Sequence, residues 1–332
     1  MGNWITGVKI NYSIQNSFMN PLAAFLKLIR WPNLFFIAFT QLLFFYCVLP
    51  FVYRIKDATG YQSLSPVLFF LVVLASVLIA AGGYIINDYF DLGIDLVNKP
   101  EKLIIEKFIK RRWAIVLHLC TSFAGFIISC YVGYKISNMY IPIFNFTAIA
   151  LLWFYSTTFK KKLLIGNVII SLLTAWVIFV IALSEYINKA NNSTDVFALA
   201  RLIKLSILYA GFAFVISLIR EVVKDMEDTI GDAKYNCKTM PIEWGIPASK
   251  VFTGVWIVVL IGAIAALQFY VLQLGWWLSS LYSFLLILLP LIFILKKLYQ
   301  AQISADYGYV SHAIKFVMFT GIVSMIFFRI YL

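Results

Sequence analysis

Residues 66–95 read PVLFFLVVLASVLIAAGGYIINDYFDLGID, an apolar run that ends in a segment rich in aspartate. Bilayer hydrocarbon is about 30 Å thick, so a spanning helix needs roughly 20 apolar residues, and the run before Asn87 has that length. The run is continuous rather than alternating, which favours a helix over a transmembrane strand. The stretch therefore predicts a membrane-spanning helix with acidic groups at its far end.

The rest of the chain has the same character. Of its 332 residues, 62% are hydrophobic and 13% are charged, which is too little charge for the surface of a water-soluble protein. We predict an all-α, polytopic membrane protein that forms one domain over residues 1–332, with residues 1–20 as a flexible or interfacial N-terminal segment and 21–30 as a short interfacial helix. The nine predicted spans are 33–52, 66–87, 113–134, 140–158, 164–184, 203–220, 251–272, 277–295 and 312–331.

The distribution of positive charge predicts the orientation. The net charge is +12, and most of the 27 lysines and arginines fall on one side of the membrane if the N-terminus is inside. By the positive-inside rule we expect a multi-pass protein of the plasma or inner membrane with a cytoplasmic N-terminus. Membrane topology accounts for the basic excess, so we expect no nucleic-acid partner. Four scattered cysteines and two isolated histidines predict neither a disulfide framework nor a histidine metal site.

Acidic residues are concentrated in two segments of similar spacing. Eight of the fifteen aspartates and glutamates lie in 87–95 and 221–232, after the second and sixth predicted spans. Both segments contain the pattern DxxDxxxD, which indicates a pseudo-repeat that brings two equivalent helix ends together. The segments are therefore expected to lie close together at the inner membrane face.

This spacing has a chemical consequence. Residues three, four, seven and eight positions apart share one helix face, so each segment would form a ladder of like charges that needs a counter-cation. Oxygen ligands without cysteine or histidine favour Mg²⁺, which commonly shares its ligands with substrate phosphates. The pattern predicts a diphosphate held between two metal-binding ladders. By this spacing Asn87, Asp91 and Asp95 form one ladder, with Asp88 at its flank, and a continuous helix would make Asp225, Asp228 and Asp232 the other.

At these residues the sequence resembles the UbiA-type family of intramembrane prenyltransferases. The family signature NDxxDxxxD matches residues 87–95, and the longer second motif KDxxDxxGD matches 224–232. The resemblance extends over nearly the whole chain, with one departure. Members often carry arginine-proline steps after the first motif, whereas this chain has Asn98-Lys99-Pro100-Glu101-Lys102. Further matching positions are Arg30 to Asn33, Tyr155-Ser156, Lys160 and Gly166-Asn167.

The resemblance implies a reaction and a set of roles. Members transfer a prenyl chain from an allylic polyprenyl diphosphate to a membrane-soluble acceptor, so we expect these two partners, Mg²⁺ as cofactor, and a central cavity open to the cytoplasmic side. An aromatic face can stabilise the allylic cation, and Tyr155 is the candidate for it. The Mg²⁺ ligands that the resemblance implies are Asn87, Asp91, Asp95, Asp228 and Asp232. The implied catalytic residues are Asp91, Asp95, Asp228, Asp232 and Tyr155. The implied substrate-binding residues are Asn87, Asp88, Lys160, Lys224, Asp225, Lys99, Ser156, Asn33 and Arg30.

The acceptor remains open between alternatives. Residues 238–241, KTMP, together with the second motif, resemble the branch that acts on geranylgeranylglycerol phosphate more than the 4-hydroxybenzoate branch. Prenylation of an aromatic quinone or chlorophyll-type precursor is the alternative. A CDP-alcohol phosphotransferase would carry the absent signature DGxxAR, and a cation-coupled transporter would place its carboxylates near the membrane midplane. The sequence assigns no oligomeric state.

Overall fold

The computed structural model describes residues 20–53, 64–192 and 196–332. Throughout these ranges the regular elements are helical, and nine of them are long and apolar enough to cross a membrane, which confirms the predicted fold class. Apart from residue 20, the predicted N-terminal segment lies outside the described residues. The interfacial helix is α1, Pro21–Leu28, and the first span is α2, Trp31–Tyr53. The remaining spans are α3 Pro66–Asn98, α4 Arg111–Lys135, α5 Tyr140–Thr157, α6 Ile165–Asn192, α7 Val196–Glu227, α10 Gly245–Gln273, α11 Trp277–Gln300 and α12 Ser304–Ile330, with short helices α8 Thr229–Lys234 and α9 Met240–Glu243 between them.

Short polar side chains and prolines begin several helices. The Asn20 side chain accepts a hydrogen bond from the Leu22 amide and begins α1, and Ser65 does the same for Leu68 at the start of α3. Proline follows each cap directly, where its missing N–H costs no helical hydrogen bond. Arg30 has a left-handed backbone, with φ 51°, and this sharp turn separates α1 from α2. The turn fixes where the Arg30 side chain enters the protein.

The helices that carry the acidic segments run past their predicted ends. Helix α3 continues to Asn98 and helix α7 to Glu227, so the first acidic segment is fully helical. The expectation of a continuous second ladder is wrong, because α7 ends before Asp228 and α8 begins after it. Donors from elsewhere explain the interruption: Ser304 Oγ donates to the Glu227 carbonyl at 2.8 Å, and Asn98 Nδ2 donates to the Asp228 carbonyl at 3.0 Å.

Small residues bring α3 and α4 close together. A Cβ atom added at Gly82 would lie 2.5 Å from Ser122 Oγ, and one added at Gly125 would lie 2.8 Å from the Ile79 side chain. Membrane helices use such residues because van der Waals packing, rather than water exclusion, holds them together. The outer surface is apolar instead: Val251, Val255 and other large side chains of α10 are exposed, as expected against lipid.

An elongated cavity runs through the middle of the molecule. Six spans line it, namely α2, α3, α5, α6, α7 and α12, and it encloses about 1700 Å³ of empty space including its open mouth. One end is formed by Met325 and Tyr209 and is largely apolar. The other end contains Asn87 and Lys224 and so adjoins the acidic segments. The fold thus provides a long apolar chamber with a charged entrance.

Candidate active site

The two acidic segments meet through the loop that follows α3. Lys99 Nζ lies 2.8 Å from Asp228 Oδ1 and 2.8 Å from Glu227 Oε1. The neighbouring Asn98 binds the second segment twice, because its Nδ2 donates to the Asp228 carbonyl and its Oδ1 accepts from the Gly231 amide at 2.8 Å. The loop therefore holds the second segment directly beside the end of the first.

Glycines in both segments permit this close approach. A Cβ atom at Gly231 would lie 2.5 Å from the Asn98 side-chain amide, so a larger residue there would displace the bridge. In the first segment, a Cβ atom at Gly93 would lie 2.7 Å from the Tyr235 ring. Sequence reasoning did not single out Asn98 as a site residue, although the unusual segment 98–102 was a visible signal.

The first ladder forms as predicted on α3. Asn87 Nδ2 donates to Asp91 Oδ2 at 2.7 Å, one helical turn apart, and Lys160 forms an ion pair with Asp91. Lys160 comes from the short turn Phe159–Lys161 after α5, and its side chain is only 10% exposed. Asn87 Oδ1 is buried and has no hydrogen-bond partner among the described residues. This oxygen is therefore available as a ligand.

Asp88 faces away from the ladder toward α1 and α2. Arg30 Nη2 lies 2.5 Å from Asp88 Oδ1, and the guanidinium also lies over the Tyr84 ring at 5.3 Å from its centroid. The Asp88 carboxylate raises the pKa of Arg30 and so keeps the guanidinium charged. Arg30 lines the cavity, and Asp88 holds its guanidinium from outside the described lining residues.

The second segment divides into two environments. Asp225 Oδ2 accepts from Asn167 Nδ2 at 2.8 Å, so this carboxylate is bound to α6 instead of joining a ladder. Asp232 is 9% exposed, and burial together with the nearby Asp228 carboxylate raises its pKa to about 6. Asp95 also acts on Asp232 electrostatically, which places carboxylates of the two segments within range of one another.

These residues fit Mg²⁺ by their chemistry. In the ranges that the structure describes, no three acidic, cysteine or histidine side chains already form a closed metal-binding group. The convergent groups are nevertheless oxygen donors, and a buried amide oxygen without a partner stands next to them at Asn87. Repulsion between the carboxylates of Asp95, Asp228 and Asp232 favours a cation at their junction.

The remaining predicted site residues differ in whether they line the cavity. Arg30, Asn33, Tyr155 and Lys224 line the cavity, so they can reach a substrate inside it. Ser156 is not among the described lining residues: it is buried, and its hydroxyl donates to the Leu152 carbonyl at 2.9 Å on its own helix. Its geometry is that of a helix-end hydroxyl.

Several lining residues were missed from the sequence. Tyr84, Arg220, Glu221 and Lys315 all line the charged part of the cavity. The signal for Lys315 was available, because it is a lysine within the ninth predicted span, and charged residues inside membrane helices commonly mark functional sites. Glu221 is buried and likewise lies at the end of an apolar run.

Comparison with known proteins agrees with this site. Residues 57–320 match the UbiA prenyltransferase family. The digeranylgeranylglyceryl phosphate synthase of Methanothermobacter thermautotrophicus is 31% identical over 234 residues, which cover 68% of this chain and 72% of the relative. Other relatives of that name are matched over as little as 51% of their length.

Solved structures share the fold. One, from work on digeranylgeranylglyceryl phosphate synthase in membranes, has a TM-score of 0.58 and 23% identity, covering 93% of this chain and 99% of that one. A UbiA homologue from Archaeoglobus fulgidus, bound to DMAPP and Mg²⁺, has a TM-score of 0.52 and 14% identity, covering 91% and 99%. With the family match over residues 57–320 and nine candidate spans in the part of the chain that the structure describes, the chain belongs to the UbiA prenyltransferase family and is a multi-pass membrane prenyltransferase.

Proposed function

We propose that this protein transfers a polyprenyl group, most simply geranylgeranyl, from an allylic diphosphate to an acceptor and releases diphosphate in a Mg²⁺-dependent reaction. One observation carries the proposal: the two acidic segments meet at the charged end of a long apolar cavity. An apolar chamber suits an isoprenoid chain, and a junction of oxygen ligands suits a diphosphate with its metal. The Archaeoglobus fulgidus homologue, which holds DMAPP and Mg²⁺, supports the same interpretation.

The metal would be held by the convergent oxygen donors. When bound, Mg²⁺ supplies positive charge that stabilises the leaving diphosphate. The proposed ligands are Asn87, Asp91, Asp95, Asp228 and Asp232.

Lysine side chains of the protein add positive charge to the proposed diphosphate site. Lys160 and Lys99 already lie against Asp91 and Asp228, where each can also contact a diphosphate oxygen. Both are assigned to substrate binding for this reason. Asp225 and Asp88 act from behind the site, because Asp225 is bound to Asn167 and Asp88 to Arg30.

The side chains that line the cavity would contact the prenyl group. Tyr155 lines the cavity near its charged end and presents an aromatic ring to the carbon that loses diphosphate. Apolar side chains such as Leu152 and Ile216 exclude water, which would otherwise capture the allylic cation. Tyr155 is therefore assigned to catalysis by stabilising charge on the prenyl group.

Geranylgeranylglycerol phosphate is the leading acceptor. Its support is the name shared by the curated relatives, which are digeranylgeranylglyceryl phosphate synthases. An aromatic quinone or chlorophyll-type precursor is the second candidate. The family assignment favours the enzyme over a cation-coupled transporter.

We also infer that the site and the N-terminus face the cytoplasm, in a plasma or inner membrane. The basic residues Lys99, Lys160 and Lys224 lie at the same end of the molecule as the acidic segments. That concentration of positive charge is typical of the cytoplasmic side.

A direct assay tests the proposal. Purified protein in lipid nanodiscs is incubated with labelled geranylgeranyl diphosphate, Mg²⁺ and each acceptor in turn. The proposal expects labelled product and diphosphate release that both require an acceptor. Cation flux in proteoliposomes, with no transfer to any acceptor, would instead support a transporter.

A further inference from the structure

Four cationic side chains converge inside the cavity beyond the acidic segments. Arg30, Arg220, Lys224 and Lys315 all line it, and Lys315 lies within electrostatic range of the other three. They come from three separate parts of the chain: the α1–α2 junction, α7 and α12. Such a concentration of positive charge in an apolar chamber is costly unless anions compensate it.

The protein's own carboxylates compensate only part of this charge. Arg30 is paired with Asp88. Glu221 Oε1 is shared, because it accepts from Arg220 Nη1 at 3.0 Å and from Lys224 Nζ at 2.9 Å. Lys315 Nζ contacts only an amide oxygen, Asn33 Oδ1 at 3.3 Å, and no ion pair to it is found among the described residues.

The charges around Glu221 therefore do not balance. One carboxylate is paired with the two cations Arg220 and Lys224, and Lys315 adds a third cation without an ion pair in the described part of the chain. The group defined by Arg220, Lys224 and Lys315, here called the cationic cluster, sets three basic side chains against one carboxylate.

A second observation points to a missing acceptor at the same place. Arg220 Nε is fully buried and has no hydrogen-bond partner within the described part of the chain. A buried donor left without a partner is destabilising, more so when it belongs to a charged group. An anion with several oxygens, bound beside Glu221, would satisfy this donor and balance the charge.

The cationic cluster is distinct from the diphosphate site. Arg220 precedes Asp228 by eight residues, and at about 1.5 Å per helical residue this places Arg220 roughly 12 Å from the end of α7 that carries Asp228. Of the proposed metal ligands, only Asn87 is among the described lining residues of the cavity. The two sites are therefore neighbours, joined at the entrance formed by Asn87 and Arg30.

We propose that the cationic cluster binds the anionic headgroup of the acceptor, and that this group is a phosphate monoester. This proposal depends on the proposed function in one respect: it takes the bound molecule to be the acceptor of the prenyl group. A phosphate monoester carries about −1.5 to −2 charges at pH 7 and three acceptor oxygens, which matches the excess charge and the free Arg220 donor. A neutral aromatic acceptor would leave the excess positive charge unbalanced and the Arg220 donor without an acceptor. The cluster therefore favours a phosphorylated glycerol lipid.

Equilibrium binding tests the proposal without requiring turnover. The full chain in neutral-lipid nanodiscs is titrated with labelled geranylgeranylglycerol phosphate and with the same lipid lacking phosphate. We expect the phosphorylated lipid to bind at least about tenfold more tightly. Lys315→Gln should remove most of this preference, while Lys315→Arg should retain it. Lys296→Gln is the control, because Lys296 is an exposed lysine of α11.

Two further arms separate the possible sources of the anion. Glycerol phosphate without a lipid chain should compete only at a concentration at least about a hundredfold higher, since it lacks the apolar part that fills the cavity. Binding of labelled geranylgeranyl diphosphate with Mg²⁺ should change by less than about twofold in Lys315→Gln. A large loss of diphosphate binding in that variant would assign the cluster to the donor substrate and overturn the proposal.

The outcomes distinguish this proposal from the proposed function. Equal affinity of the wild-type protein for the two lipids, or an unchanged preference in Lys315→Gln, overturns the acceptor assignment even if prenyl transfer to another acceptor occurs. A preserved phosphate preference without detectable prenyl transfer would support the cluster and count against the reaction instead.

Discussion

Asn98 and Gly231 are joined by a 2.8 Å hydrogen bond that links the two halves of the chain across the proposed diphosphate site. The bond runs from the Gly231 amide to the Asn98 side-chain oxygen, while the other end of the same side chain donates to the Asp228 carbonyl. One amide thus sets the position of the second acidic segment relative to α3.

Removing the bridge should weaken both the fold and the reaction. Asn98→Ala leaves the Gly231 amide and the Asp228 carbonyl without their partner, so we expect a loss of about 1–3 kcal/mol in stability. Turnover should fall about 10–100-fold, as is typical when groups that orient metal ligands are lost. Thermal unfolding in detergent and steady-state transfer assays measure the two effects. An Asn98→Ala protein with wild-type turnover would refute the positioning role.

Gly231→Ala should cause a related defect for a steric reason. The added Cβ would lie 2.5 Å from the Asn98 amide and would displace it. In the double variant, alanine at position 98 removes the clashing group, so the two effects should combine to much less than their sum. A double-mutant cycle on turnover measures this coupling. Simple additivity would show that the two residues act independently.

The acidic ligands should be required for turnover but not for folding. Asp91→Ala and Asp228→Ala each remove a proposed Mg²⁺ ligand, and we expect kcat to fall by at least about 100-fold. Both proteins should still insert, because neither substitution removes an apolar residue from a span. Glu101→Gln, which changes an exposed acid in the loop after α3, is the matched control. Full activity of either alanine variant would contradict the assignment.

Removal of divalent metal should abolish donor binding. Without a cation, the diphosphate would face the carboxylates of Asp95, Asp228 and Asp232, which repel it. We therefore expect EDTA to eliminate detectable binding of labelled geranylgeranyl diphosphate in the nanodisc preparation, and added Mg²⁺ to restore it. Unchanged binding in EDTA would show that lysines such as Lys160 and Lys99 suffice.

Lys99 should contribute a positive charge to the use of the diphosphate substrate, and arginine at this position should supply the same charge. Burial alone would lower the pKa of Lys99, but Asp228 and Glu227 outweigh it and raise the value, so the lysine stays charged. Lys99→Met should lower kcat/KM for the diphosphate by about tenfold, and Lys99→Arg should retain most of it. Lys107→Met, an exposed lysine of the same loop, serves as the control. Equal effects of the two methionine variants would indicate general surface charge.

The fold was accessible from the sequence because bilayer thickness imposes a length on each apolar run. All nine spans found in the described ranges were predicted, and the ends were missed where helices leave the lipid, as at Asn98 and Glu227. Hydrophobicity cannot locate such ends, since helical hydrogen bonds continue in water. The ladder of Asn87 and Asp91 was predicted correctly because both lie within one unbroken helix.

The parts of the site that were missed depend on contacts between distant segments. The interruption at Asp228 arises from donors at Ser304 and Asn98, which are far away in the sequence. Likewise, Asp225 appeared to belong to a ladder by spacing, but Asn167 on a neighbouring span binds it. Local periodicity contains no information about which span supplies a partner. The convergence of the cationic cluster was missed for the same reason, although the lysine within the ninth predicted span, Lys315, was a visible signal.

Arg220 lies near the C-terminal end of the unbroken helix Val196–Glu227, and Asp228 is the first residue after that helix. If the cationic cluster binds the acceptor's anion as proposed, this rigid helix would fix the distance between that anion and the departing diphosphate. An acceptor whose hydroxyl stands too far from its own phosphate would present the wrong atom to the prenyl carbon. Selectivity among polyol phosphates would then depend on the distance between the hydroxyl and the phosphate of the acceptor, which the geometry of a single helix sets.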